Sequence, residues 1–341
     1  MSMTRRTLAA AGALMPFAAG LPGARAQEAA TRQRLAAMKP PGYPREPIEL
    51  MVAYPPGGGM DITTRVLQRL FDATTGERSM VNNRTGGAGL IGHTWLYTQA
   101  PADGQVVGVI AGLVFSDSAR SGGRWNWTDL DHLAHINSEP LNVVVNTEGR
   151  FKDATLAEIL AEVRARPGTV RIGTIPGGYY DYLVDQLEWA TGSRFLRVPF
   201  QGGGPGMTAL LGNNLDIFFA FYGEVRGHFA ANRLKGIGVT GDRESVFLPG
   251  QPTVNSVTGR TDINWGVTRW VAAPKAVPAD RKVWLTAAFR AAVTSPAAEA
   301  EFRNLGAMPD PTVDTPEKLM DILQRESRAE TDFVAARAAR R

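Results

Sequence analysis

Ile48-Glu49-Leu50-Met51-Val52-Ala53-Tyr54-Pro55-Pro56-Gly57-Gly58-Gly59-Met60-Asp61 is the stretch from which the rest of the chain is read. The apolar run Ile48–Ala53 predicts a buried strand, a Pro-Pro-Gly-Gly-Gly break follows, and an amphipathic helix begins near Asp61 and runs to about Phe71. Proline ends the strand because it has no N–H, and glycine because it holds no single conformation. Three residues without a β-carbon let a ligand come close to the backbone amides. Amides at a helix N-terminus favour an anion, since they are unpaired and the helix dipole is positive there. Taken alone, the segment is also accounted for by a tight βα turn with Asp61 as its cap.

Repetition of the device shifts that balance. Met80–Asn83 predicts a strand, Arg84-Thr85-Gly86-Gly87-Ala88-Gly89 a loop, and Leu90–Thr98 a helix, with a further strand at Val106–Ala111. The pattern restarts at Thr155-Leu156-Ala157-Glu158, a capping box opening a helix to Arg166. Strand Val170–Gly173, break Ile175-Pro176-Gly177-Gly178 and helix Tyr179–Ala190 follow. Next come strand Arg197–Phe200, break Gln201-Gly202-Gly203-Gly204-Pro205-Gly206 and helix Met207–Leu211. Strands at Ile217–Phe221, Ile237–Thr240 and Val267–Ala273 precede helical patterns from Ala279 to the end. Alternating strands and helices predict an α/β fold. In such sheets ligands bind beyond the carboxyl ends of the strands. Two lobes facing each other with glycine loops would frame a cleft lined by helix N-termini, suited to an anion.

The 341 residues suffice for two domains, and 44% hydrophobic with 21% charged residues is the balance of an ordinary globular chain. Residues 1–26 are expected to be a removable export signal. Thr4-Arg5-Arg6-Thr7-Leu8 precedes an uncharged apolar run, and Ala24-Arg25-Ala26 offers a cleavage site. The paired arginines fit twin-arginine export and an ordinary secretory signal equally. Without that segment, 34 Lys and Arg stand against 33 Asp and Glu, so the net charge falls from +4 to +1. No basic run with interleaved aromatics remains, which argues against nucleic acid as a partner. No second apolar stretch of about 18 residues exists, so the mature chain is not expected to span a membrane. The absence of cysteine excludes disulfides, thiolate metal sites and a Cys nucleophile. Residues 27–44, polar and proline-punctuated, are expected as a flexible lead-in.

The residues resemble the tripartite tricarboxylate transporter receptor family, also called Bug proteins. The likeness is carried by Tyr54–Asp61, Asn83–Gly92, Val198–Pro205 and Leu248–Val254, in order and spacing, over about residues 43 to 325. It implies a two-lobed periplasmic-binding-protein-like fold of type II, each lobe a mixed sheet flanked by helices. Lobe one would comprise residues 45–145 plus 265–341, and lobe two residues 146–264. It also implies a periplasmic, monomeric solute-binding protein that closes on a small carboxylate and serves a membrane transporter or sensor component. The implied contacts are Tyr54, Pro56, Gly57, Gly58, Gly59, Thr85, Gly86, Gly87, Ala88, Thr174, Gly177, Gly178, Tyr179, Gly202 and Gly203. The chain departs from the family at three places that bear on the ligand. The third loop carries Tyr179 and Tyr180 in place of hydroxyls and histidine, the loop lysine is Gln201, and Ala220 stands where many members have an aspartate. A ligand ammonium would lack that acid, so an apolar or aromatic carboxylate is favoured over an amino acid or citrate.

Rival signals are weaker. Gly87-Ala88-Gly89-Leu90-Ile91-Gly92 spells a dinucleotide fingerprint, but the acid expected at the end of the next strand is replaced by Ala111-Gly112. An exported dinucleotide-dependent oxidoreductase is the enzyme-class alternative. No Gly-Lys-Ser/Thr follows any glycine loop, which excludes a P-loop. His132 and His135 lie three apart on an expected strand, on opposite faces, which does not suit a metal site. His93 falls on the helix after the second glycine loop, as a cleft or packing residue. Trp125 and Trp127 fit a loop plug or a cleft rim, and Arg84 fits a structural lock better than a ligand clamp. No Ser–His–acid constellation can be placed, so the expectation is a binding protein and not an enzyme, with no cofactor and no metal.

Overall fold

A computed structural model describes residues 22–240, 244–245, 247–260 and 266–338. Most of the expected export signal, residues 1–21, lies outside the described residues, as does the expected return crossover at Trp265. In chain order the elements are α1 (Pro22–Met38), β1 (Ile48–Val52), α2 (Gly59–Thr75), β2 (Ser79–Asn83), α3 (Leu90–Thr98), β3 (Val106–Ala111), α4 (Val114–Arg120) and β4 (Leu130–Pro140). Then follow β5 (Asn142–Asn146), α5 (Leu156–Ala165), β6 (Arg171–Thr174), α6 (Tyr179–Thr191), β7 (Leu196–Pro199), α7 (Gly203–Leu211), β8 (Phe218–Ala220), α8 (Tyr222–Ala230) and β9 (Leu234–Val239). The chain ends with α9 (Val254–Thr258), β10 (Gly266–Pro274), α10 (Ala279–Val293), α11 (Pro296–Leu305) and α12 (Pro316–Ala338).

Lobe one is built on a five-stranded sheet of order β2-β1-β3-β10-β4. Strand β1 runs parallel to β2 and β3, whereas β10 is antiparallel to β3 and β4, so the sheet is mixed. Every residue of β3 is buried, as a strand covered by helices on both faces requires. Lobe two holds the antiparallel set β8-β5-β9 and the parallel pair β6-β7, linked by a parallel bridge between Ile172 and Ile217.

Several boundaries shift by a few residues, and four differences from the sequence expectation change how the lobes are built. The lead-in 27–44 is not a loose segment over its first part: α1 docks by Leu35, which is 1% exposed, and its carbonyl accepts the Trp284 indole N–H at 2.9 Å. The chain leaves lobe one's sheet at Pro140 and enters lobe two's at Asn142, so β5 belongs with lobe two and not with residues 45–145. Helix α7 starts within the glycines, at Gly203 and not at Met207. Helix α12 is not confined to lobe one. Thr268 of β10 donates to Glu326 at 2.6 Å, while Phe333 meets the rings of Tyr182 and Trp189 on α6 at 5.4 and 5.5 Å.

Candidate functional site

The first glycine loop is held from behind by one buried acid. Asp61 Oδ2 accepts the Gly57 N–H at 3.0 Å and the Arg65 Nε–H at 2.9 Å, and Asp61 Oδ1 accepts from Asn83 at 3.1 Å. Burial raises the Asp61 carboxyl, but the bonds from Arg65, Gly57 and Asn83 outweigh it and hold the acid below its usual range. Lobe two repeats the arrangement: Asp181 Oδ2 accepts the Gly177 N–H at 3.4 Å. Both loops read Pro-Gly-Gly-x-x-Asp, from Pro56 to Asp61 and from Pro176 to Asp181, a shared signal that the sequence reading passed over. Gly57 and Gly177 both have positive φ, 81° and 69°, which a side chain would strain.

Around these loops lies a cavity of about 510 Å³ between the lobes. Its wall contains Tyr54, Pro56, Gly57, Gly58, Gly59, Thr85, Gly86, Gly87, Ala88, Gly178, Tyr179, Gly202 and Gly203 of the residues singled out from sequence. Two others are placed elsewhere. Thr174 is buried at the end of β6, where its carbonyl accepts the Phe200 N–H, and Gly177 turns its carbonyl to Arg120. Helices α2, α3, α6 and α7 start at this wall with Gly58, Gly89, Gly178 and Gly202 as N-caps, none with a side-chain cap bond. By contrast α5, α9 and α11, away from the cavity, are capped by Thr155, Thr253 and Ser295.

The aromatic groups are partly committed to the protein. Tyr179 donates its hydroxyl to the Gly266 carbonyl at 2.7 Å, and Tyr180 stacks on Phe218 at 5.2 Å. Burial pushes the Tyr54, Tyr179 and Tyr180 phenols well above their ordinary range, so all are neutral donors. The Tyr54 hydroxyl has no hydrogen-bond partner within the protein.

One acid in the wall was not singled out as a site residue. Among the described residues Glu224 is the one Asp, Glu, Lys, Arg or His lining the cavity. It sits in the first turn of α8, where its Oε2 accepts the Phe221 N–H at 3.1 Å, and Gly59 offers a second backbone N–H. Burial raises its pKa to about 7, Glu139 pushes the same way, and the bonds from Phe221 and Gly59 and the charge of Arg269 oppose. Ala220, where the resemblance implies an aspartate, is fully buried in β8. The position read as lacking an aspartate thus stays outside the cavity wall, while Glu224, four residues further on, lines it.

Contacts across the cavity join the lobes. Arg120 donates to the Gly177 carbonyl at 2.9 Å and to the Gly87 carbonyl at 3.2 Å. Its guanidinium is held by Asp117, whose second oxygen pairs with His93 Nδ1 at 2.7 Å. A β-carbon on Gly59 would lie 2.6 Å from the Phe221 ring of lobe two.

The remaining candidates are structural. Arg84 lies 3.5 Å over the Trp95 ring and reaches Glu49 at 3.4 Å, locking the second loop. His132 accepts from the Trp270 indole at 2.8 Å and His135 pairs with Ser138 at 3.1 Å. Burial lowers both imidazoles to about 4. The described residues contain no group of three or more His, Cys, Asp and Glu that could hold a metal. Trp125 stacks on Tyr97 at 4.2 Å and Trp127 meets Phe115 at 5.0 Å, a plug against lobe one.

Against known proteins, residues 63–338 match the family model described as "Tripartite tricarboxylate transporter family receptor". A protein from the tcbD-tcbE intergenic region of Pseudomonas sp. strain P51 is 27% identical over 293 residues, 84% of each chain. BugT of Bordetella pertussis is 27% identical over 294 residues, 83% of this chain and 87% of its own. Among solved structures, the periplasmic binding protein BugD superposes with a TM-score of 0.77 at 22% identity, covering 86% of this chain and 98% of its own. An R. palustris protein solved with adipate gives 0.77 at 18%, covering 86% and 97%. MatC of Rhodopseudomonas palustris with bound malate gives 0.75 at 19%, covering 86% and 100%.

Proposed function

The chain belongs to the tripartite tricarboxylate transporter receptor family, and from that premise we propose that it is an exported periplasmic receptor for a small carboxylate with an apolar or aromatic body. The observation that carries the reading is the convergence of four glycine-capped helix N-termini, without side-chain caps, on one cavity wall. Each such terminus favours an anion by about 0.3–1 kcal/mol when exposed and up to about 2 kcal/mol when partly buried. Among the described residues no Lys or Arg lines the wall, so the carboxylate is gripped by backbone amides, and Met60, Leu113, Ile175, Phe221 and Val267 cover its body. The likeness to structures holding adipate and malate supports small carboxylates as the ligand class.

The working cycle is closure. The ligand docks on the lobe-one loops, lobe two swings in, and Arg120, Tyr179 and Phe221 complete the contacts seen here. The closed form is what a membrane transporter or sensor component would recognise. Among the described residues the cavity wall offers one carboxylate and no nucleophile–base pair, which supports binding in preference to catalysis, the dinucleotide-dependent oxidoreductase included. A thermal-shift screen of adipate, benzoate, malate, citrate and glutamate against the mature chain tests this, because a ligand of the folded state raises Tm. A shift with apolar-bodied acids is the expected result. Stoichiometric NAD or NADP in protein exported in folded form, with no response to any acid, would overturn it.

A further inference from the structure

A carboxylate ligand meets an obstacle in this cavity. Glu224 stands beside Gly59 and Gly203, on the wall where the N-termini of α2 and α7 would grip an anion. Among the described residues no Lys, Arg or His lines the wall to offset it. The residue is enclosed by protein yet keeps accessible surface, and that surface faces the cavity. One oxygen is tied to the Phe221 N–H, while the other lies 3.5 Å from where a Gly203 β-carbon would sit. Two carboxylates that close in a water-poor site cannot both be ionised without a large penalty.

We propose that Glu224 makes ligand capture proton-coupled: the carboxylate enters with Glu224 neutral, and the Glu224 hydroxyl donates a hydrogen bond to a ligand carboxylate oxygen. The proposal rests on the carboxylate-receptor reading and adds the proton to it. The proton comes from solvent and stays on Glu224 while the ligand is held. No covalent bond changes apart from that O–H.

The surroundings of Glu224 are consistent with a neutral carboxyl. From β4, Glu139 faces it and adds negative charge. From β10 comes Arg269, which opposes it and is paired with Glu139 at 2.5 Å and Asn137 at 3.1 Å, so these two charges act against each other at Glu224 and burial is the larger cause. From α6 the Tyr180 phenol faces it, itself neutral. The loops of α2 and α7 bring glycines, and Arg226 on α8 itself turns away to Asn304. In the unliganded protein Glu224 loses its proton as the pH rises through about 7, so above that value each bound anion must bring a proton with it.

The test is titration calorimetry of wild type and Glu224→Gln with benzoate, adipate and glutamate, between about pH 6 and about pH 9. Each is run in two buffers of different ionisation enthalpy, which reads out protons taken up or released. Wild type is expected to take up close to one proton per benzoate or adipate near pH 8. Its affinity for them falls about tenfold per pH unit above the Glu224 pKa. In Glu224→Gln the pH dependence is expected to be lost and the affinity at pH 9 raised. The wild-type proton count stands whether or not the variant folds. Benzoate or adipate binding without proton uptake overturns the inference and leaves the carboxylate receptor standing. Preference for glutamate, tightening as pH rises, overturns it in favour of an ionised Glu224 paired with an ammonium. No binding of any probe overturns both readings.

Discussion

Replacing Gly59 by alanine separates closure of the lobes from their folding. The added β-carbon would stand 2.6, 3.0 and 3.3 Å from Cδ2, Cε2 and Cγ of Phe221. Carbon atoms rest at about 3.5–4.0 Å, so the ring must retreat by about 1 Å. Its path is blocked, because the fully buried Arg269 guanidinium sits 4.5 Å from the ring centroid and is tied to Glu139 and Asn137. Overpacking of this kind costs about 1–3 kcal/mol. The cost arises only when the lobes meet, so it appears as a loss of ligand affinity of about 5- to 150-fold at about 1.4 kcal/mol per tenfold. Folding within lobe one should not suffer. Gly59 opens α2 with an ordinary φ, and alanine is the better helix former by up to about 1 kcal/mol. Calorimetry with whichever carboxylate scores in the screen, beside a melting curve without ligand, reads both effects. A cycle with Phe221→Ala isolates the contact, since alanine at 59 should cost little once the ring is gone. Affinity within twofold of wild type in Gly59→Ala would refute the reasoning, as would an equal loss in the Phe221→Ala background.

Gly58→Val should fold with only a modest loss of Tm from the poorer N-cap, because φ is −82° and the nearest atom to a β-carbon is the Pro55 carbonyl at 3.6 Å, yet it should abolish ligand binding by filling the approach to the loop amides; retained binding would place the anion elsewhere. Arg120→Ala removes the bonds to the Gly177 and Gly87 carbonyls; the guanidinium is more than a third exposed, so about 1–2 kcal/mol is expected, seen as a 5- to 30-fold weaker Kd and a more open envelope in solution scattering. Glu330 on α12 accepts from Ser116 and is raised from 4.5 to about 7 by burial, the Ser116 bond opposing. The folded state thus keeps a proton the unfolded chain has lost, and the stability this carboxyl contributes is full below about 4.5 and fades as pH rises through 7. Glu330→Gln should therefore gain stability over wild type between about pH 5 and about pH 7.5 and then level off, by the order of 1–3 kcal/mol in urea midpoints; a gain that does not change with pH would contradict the assignment.

Elements whose signals are local were legible. Helix α3 and strand β3 occupy the residues their apolar patterns mark, and α5 carries the Thr155–Glu158 capping box read from sequence. Elements stabilised from far along the chain were not. Helix α1 is a polar, Ala- and Arg-rich segment whose docking depends on Trp284, 249 residues from Leu35. Helix α4 begins after Leu113, which offers no cap bond, and it stays in place through Asp117 binding Arg120 and His93. The switch of sheets at Leu141 leaves no mark either, since a single residue separates β4 from β5 with no glycine or proline-glycine break between them, and only the strands they pair with differ.

The same division runs through the site. Glycine N-caps at Gly58, Gly89, Gly178 and Gly202 follow from the chain's need to turn sharply from strand to helix, and that need is written in adjacent residues. Glu224 is different. Within α8 it is an ordinary first-turn acid accepting from the Phe221 amide, a place where acids occur for helix stability alone. It becomes a cavity group because the start of α8 is carried against the start of α2, where Gly59 lacks a β-carbon and Phe221 fills the space. A substitution such as aspartate to Ala220 therefore does not by itself remove negative charge from the cleft. The charge depends on which helix start the second lobe presents to the first, and that is a property of the closed pair of lobes rather than of any one loop.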